Sequence, residues 1–150
     1  MPYSTSVDPA LRLGLATVYG PTYGSDLAEA NGALYHDARW QPGFDELWRC
    51  DGITEFVVLP SELEEVVEIE TAEADRVGTG RVALVITREV VQMIGELYRH
   101  LAADAHREVG IFPSLGEAAA WLGLPGVPAW FAEQASTAEE PSALRPRHGW

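Results

Sequence analysis

Hydrophobic and polar positions along the chain switch repeatedly between a period of two and a period near 3.6. Leu11, Leu13 and Leu15 alternate with Arg12 and Gly14, the pattern of a half-buried strand, and Asp8-Pro9 ahead of them predicts a turn. Residues 3–20 therefore read as two strands joined by that turn. Pro21 is expected to stop the ladder, and Thr22 or Ser25 to cap a helix in which Tyr23, Leu27, Ala30 and Leu34 share a face. Residues 36–44 read as a connection, with a Pro42-Gly43 turn and with Trp40 and Phe44 packed beneath it. A strand is predicted at about 45–50 with Leu47 and Cys50 inside, and a short extended piece from Glu55 to Leu59 beyond Asp51-Gly52.

Ser61 then opens a second helix. Its hydroxyl and Glu64, in S-E-L-E, form a predicted capping box. Leu63, Val66, Val67 and Ala74 make the inner stripe, and Glu62, Glu65, Glu68 and Glu73 the outer face. Gly78-Thr79-Gly80 is a tight turn into Val82–Ile86, an apolar run without alternation, which predicts a strand covered on both faces at the centre of a parallel sheet. Val90, Ile94, Leu97 and Leu101 define one face of the next helix. Residues 108–112 form the last strand. A box of Ser114 and Glu117 caps a closing helix with Leu115, Ala118, Ala119 and Leu122 inside and Gly123 at its stop. The order ββαβαβαβα implies an α/β fold, with a mixed, mostly parallel sheet flanked by helices and a leading antiparallel hairpin. The domain is expected to cover 1–123, followed by a proline-rich, mobile tail at 124–150 in which Trp130 and Phe131 are the candidates for docking on the domain or on a second copy.

Composition changes this picture in one respect. A net charge of −13, from 23 acidic residues against 10 arginines and no lysine, repels phosphate backbones and anionic lipid. Nucleic acid and membrane surfaces are therefore poor partners. Cys50 is the only cysteine, which excludes an internal disulfide and suits a reducing, cytoplasmic setting. The amino terminus lacks the basic and apolar regions of a signal peptide, and the apolar stretch Val82–Ile86 is far shorter than a membrane span.

The element order, WQPGFDELWRCDGITEF with its Pro-Gly-Phe turn and G-I-T corner, and the closing EVGIFPSLGEAAAWLGL together resemble the STAS domain. The chain looks more like small standalone bacterial STAS-like proteins, and the resemblance extends over roughly residues 3–123. The resemblance implies a non-catalytic regulatory or protein-interaction module, with a protein partner or itself as a homodimer. Antagonists of anti-sigma factors carry a phosphorylated serine in an Asp-Ser-Ser-Gly-like motif before the second helix. In the matching region, Val58-Leu59-Pro60-Ser61-Glu62, only Ser61 corresponds, so Ser61 reads either as a phosphorylation switch or simply as a helix cap.

No catalytic constellation is recognisable. His36, His100, His106 and His148 form no i,i+4 pair, no three or four ligands converge in spacing, and there is no G-x-S-x-G elbow for a serine beside His36-Asp37. Gly78-Thr79-Gly80-Arg81 is too short for a phosphate loop and precedes a strand. Cys50 reads as a small buried hydrophobe, and Trp48 and Trp121 as core. No cofactor is implied. The alternative to an interaction module is a carrier or receptor for a small, largely apolar ligand held between helices and sheet, which predicts a cavity lined by Trp, Tyr and Phe.

Overall fold

The computed structural model describes residues 3–104 and 107–133. Its elements run β1 (Tyr3–Asp8), β2 (Leu13–Tyr23), α1 (Gly24–Tyr35), β3 (Asp45–Val57), α2 (Pro60–Ala72), α3 (Ala74–Val77), β4 (Val82–Val85), α4 (Glu89–Asp104), β5 (Val109–Phe112) and α5 (Leu115–Trp121). The fold is α/β, with a five-stranded mixed sheet flanked by helices. Strands follow in the order β1-β2-β3-β4-β5, the first pair antiparallel and the rest parallel. The one-turn α3 is additional to the order the sequence pattern predicts.

A sheet in sequential order has a consequence for its faces. Right-handed crossovers between successive parallel strands all fall on the same side. The crossover helices α1, α2 and α4 accordingly cover one face, over Ala16, Val18, Trp48, Cys50, Val82, Leu84 and Ile86. Only α5 and the chain after it remain to cover the other, where Leu13, Leu15, Leu47, Ala83 and Val85 meet Ala118, Leu122 and Phe131. Alternation along each strand sorts the residues between the two cores: Glu46, Trp48 and Cys50 face one way, Leu47 and Arg49 the other.

Four local expectations change. β4 is buried at every residue and lies between β3 and β5, but β3, not β4, is the central strand. β2 continues through Pro21, which pairs with Glu55 beside a register shift that accommodates it, and β3 runs unbroken to Val57. The buried stripe of α4 is rotated by one residue, to Val91, Gly95 and Ala102, while Val90 is 57% exposed. Gly95 explains the rotation, because a Cβ there would lie 2.7 Å from Ile86 Cδ1. The helix approaches the sheet most closely where it has no side chain.

The fourth change concerns Ser61. The N-cap of α2 is Leu59, with Pro60 in the first turn, where its missing N–H costs nothing. The Glu62 carboxylate accepts the Leu59 N–H at 2.8 Å. Ser61 lies inside the helix and exposed, so the S-E-L-E capping box does not form. Helix α1 starts similarly, from Tyr23, whose N–H is accepted by Asp26 at 2.8 Å; neither Thr22 nor Ser25 caps it. At α5 Ser114 is the N-cap, as the sequence predicts: the Glu117 N–H donates to Ser114 Oγ at 3.2 Å, while the Glu117 carboxylate accepts from the Ser114 hydroxyl at 3.1 Å, where a full capping box would use the Ser114 backbone N–H. Gly123, at φ 73°, ends that helix.

Candidate functional site

Between the sheet and the crossover helices lies a cavity of about 70 Å³. Its floor is Trp48, Cys50, Ile53, Leu84 and Ile86 from the strands. Helix α1 contributes Leu27 and Asn31, α2 contributes Leu63 and Val66, and α4 contributes Val91, Ile94, Gly95 and Tyr98. Phe56 on the projecting end of β3 completes the wall. The lining is hydrocarbon and aromatic except for the Asn31 amide and the Tyr98 hydroxyl. Gly95 keeps a side chain out of the space.

Both polar groups are held from behind by the same carboxyl. Asn31 Nδ2 donates to Glu70 Oε2 at 2.9 Å, and the Tyr98 hydroxyl donates to Glu70 at 2.8 Å. Glu70 is on the buried stripe of α2, in register with Leu63 and Val66. It adjoins a buried salt bridge in which Arg107 Nη2 lies 2.8 Å from Glu46 Oε2. The Tyr35 hydroxyl donates to Glu46 at 2.7 Å, accepts from Arg107 Nη1 at 3.1 Å and stands 3.5 Å from Glu70 Oε2. Arg107 also donates to the Gly80 carbonyl at 3.2 Å. The other Glu46 oxygen accepts the Trp48 indole N–H at 2.9 Å. Three cavity-lining side chains, Trp48, Asn31 and Tyr98, are thus fixed by one continuous network drawn from β3, α1, α2, α4 and the segment before β5.

The network holds two carboxyl groups and one guanidinium. Burial, and then the charge of Glu46, push the Glu70 carboxyl up to about 7, against the opposing pull of Arg107 and of the Tyr98 and Asn31 hydrogen bonds. Burial raises the Tyr35 and Tyr98 hydroxyls well above the ordinary tyrosine range, so both stay protonated donors. Burial alone would lower Arg107, but Glu46 and the other acidic neighbours outweigh it and hold the guanidinium charged. Glu70 therefore titrates near neutrality, beside a guanidinium that stays charged.

The structure places the sequence candidates away from this site, with one exception. Cys50 lies in the cavity floor; burial, then Asp51, push its thiol up to about 12, which keeps it an inert hydrophobe. Ser61 is exposed near the start of α2. Phe131 is fully buried in the core of the opposite face, and Trp130 beside it is 46% exposed. The chain is held there by Arg49, which donates to the Ala132 carbonyl at 3.0 Å while paired with Asp51 at 2.7 Å. Among the described residues no group of three His, Cys, Asp or Glu side chains could hold a metal ion, and no helix is long and apolar enough to cross a membrane. His36 pairs with Glu73 at 3.0 Å. His106, His148, Trp150 and the tail beyond Glu133 lie outside the described residues.

Sequence reasoning missed Glu46, Glu70 and Arg107. For Glu70 a signal existed: a carboxyl at the i+7 position of the Leu63-Val66 stripe is out of place on a solvated face. Glu46 likewise shares the alternation of Trp48 and Cys50. No protein-family model matches the chain, and no curated protein matches it.

Proposed function

We propose that the protein is a binding module for a small, largely apolar ligand held in the cavity between the sheet and helices α1, α2 and α4. The observation that carries this reading is the pairing of an unfilled apolar space with a built polar end. Interiors are normally packed to crystal density, and here a space is left where three of the lining side chains are tethered by a buried network. A well-formed apolar pocket with a few convergent polar groups is the usual form of a ligand site. An engineered apolar cavity of about 150 Å³ takes up benzene; the space here is about half that, which suits a short branched chain or part of a larger body. Catalysis has less support, because Glu70 stands behind Asn31 and Tyr98 and not on the cavity surface. We place the protein in the cytoplasm, on the strength of its lone, buried thiol.

Native mass spectrometry of freshly purified protein tests this reading, set against a Val66→Phe variant. Val66 is buried in the cavity wall, and phenylalanine there would fill the space. The expected result is a small bound mass on the wild type that is absent from the folded variant. Wild-type protein with no bound mass and no stabilisation by apolar compounds would contradict the reading.

A second reading, a STAS-like regulatory or protein-interaction module, is favoured by a separate observation. The exposed Ser61 follows a group of exposed apolar residues, Leu59 (62%), Val57 (45%) and Tyr23 (50%), the last two paired across β2 and β3. That surface would suit a protein partner and would place Ser61 at its margin, where phosphorylation adds charge at the start of a helix. Affinity capture from native cells with wild type, Leu59→Glu and Ser61→Asp separates the possibilities. A partner lost with both variants supports a switch at Ser61, and a partner indifferent to Ser61→Asp removes it.

A further inference from the structure

We infer that the ligand of the cavity is an uncharged molecule, a branched hydrocarbon body carrying a single hydroxyl-type group that pairs with Asn31. This rests on the ligand-binding reading and narrows it to a chemical class. The cavity wall supplies the hydrocarbon recognition: Leu27, Leu63, Val66, Leu84, Val91 and Ile94 present methyl groups from three helices and the sheet. Trp48, Phe56 and Tyr98 add aromatic surface, and a volume of about 70 Å³ suits a short, branched body over an extended chain.

The polar end sets the rest. An asparagine amide offers two N–H donors and one carbonyl acceptor. The bond from Nδ2 to Glu70 engages one donor, and Asn31 also lines the cavity. Its carbonyl oxygen and second N–H are thus the groups left for a ligand. A hydroxyl satisfies both at once, by donating to the oxygen and accepting from the N–H. The Tyr98 hydroxyl spends its proton on Glu70, so it can only accept.

Charge excludes the alternatives. The groups facing this end from the elements packed against it are Glu70 on α2, Glu46 on β3, Tyr35 on α1, Tyr98 on α4 and Arg107 before β5. The terminal nitrogens of Arg107 are taken by Glu46, Tyr35 and the Gly80 carbonyl, and although its Nε has no partner, Arg107 does not line the cavity. A ligand carboxylate at Asn31 would stand next to Glu70 with no cation to meet it. An ammonium would be stripped of water among hydrocarbon side chains with no carboxylate on the cavity surface to pair with it. A neutral group bears neither penalty.

An isosteric series tests this on the whole protein: 2-methylbutane, 3-methylbutan-1-ol, 3-methylbutanoate and 3-methylbutylammonium, each titrated by two-dimensional NMR at pH 8, where Glu70 is ionised. The expected result is saturable binding of the hydrocarbon, binding of the alcohol about fivefold tighter, the factor one ordinary hydrogen bond contributes, and no saturation by either ion. In an Asn31→Leu variant the alcohol should lose its advantage while the hydrocarbon still binds. If no member of the series binds, the cavity is not a ligand site, and the proposed function falls with the inference. If the hydrocarbon binds as tightly as the alcohol, or either ion binds as tightly as the alcohol, the cavity stands and the inference about its ligand is overturned. The wild-type series decides the matter even if Asn31→Leu fails to fold.

Discussion

The two faces of the sheet are built from the same five strands but to different standards. On the α5 face Leu13, Leu15, Leu47, Ala83 and Val85 are almost completely buried under Ala118, Leu122 and Phe131. Its buried polar side chains are few: Thr17, in line with Leu13 and Leu15, and Arg49, 8% exposed and paired with Asp51 at 2.7 Å. At the margin Arg81 donates to the carbonyls of Trp121 and Leu122, at 2.8 and 3.1 Å, and stacks 5.0 Å over the Trp121 ring. On the crossover face the strands bury Glu46 to 1% exposure, and the helices add Glu70 and Asn31 beside a space that no side chain fills. A dry apolar contact is the cheaper way to hold layers together, and replacing a buried ion pair with hydrocarbon is often neutral or stabilising. The small face took that route over most of its area, with one ion pair, Arg49 and Asp51, beside the docked chain. The large face, with three helices available to supply hydrophobes, kept a charged network and a hollow. That contrast is what the proposed ligand-binding role would leave on one face of the sheet.

The largest expected effects lie one on each face and differ in character. Phe131→Ala empties the centre of the α5 core and should cost about 3–5 kcal/mol by denaturant unfolding, with the same loss at every pH at which the protein folds. Arg107→Met leaves Glu46 without its cation and should cost about 3–5 kcal/mol near neutral pH. That deficit should shrink in acid, where carboxyl groups are neutral. Equal pH behaviour of the two variants would erase the distinction between the faces.

Glu70→Gln should have a somewhat smaller effect and the opposite sign. The folded-state carboxyl is pushed up to about 7 from an ordinary value of 4.5. A raised value means that the contribution of the protonated form is complete below about 4.5 and is lost as pH rises through about 7. Glutamine keeps a neutral acceptor for Tyr98 and Asn31 and does not ionise. Relative to wild type, the variant should gain on the order of 3 kcal/mol between pH 4.5 and pH 8, and nothing below that range. A constant offset across pH would mean that folding leaves the Glu70 carboxyl at its ordinary value.

The fold was largely legible because its elements obey simple periods. Val82–Ile86 declared a strand covered on both faces, and Ser114 with Glu117 declared the start of α5, since each signal is local. What failed was decided by contacts distant in sequence. Val90 loses its place in the stripe of α4 because Gly95 lets Ile86 close in on the neighbouring face. Ser61 is the local exception: Pro60 and Glu62 already satisfy the helix start, so the cap falls at Leu59. Glu46, Glu70 and Arg107 come from positions far apart in the chain, and only their convergence makes a network. The two serines test the smallest of these differences. Ser114→Ala should cost about 0.5–2 kcal/mol as a lost cap, whereas Ser61→Ala should stay within about 0.5 kcal/mol of wild type.

The contrast between faces is tested most directly by titrating 2-methylbutane into the wild-type protein and following every methyl group by NMR. The hollow crossover face predicts saturable shifts at Leu63, Val66, Leu84, Val91 and Ile94, and none at Leu13, Leu15 or Val85 in the packed face. Shifts spread evenly over both sets, or absent from both, would contradict it.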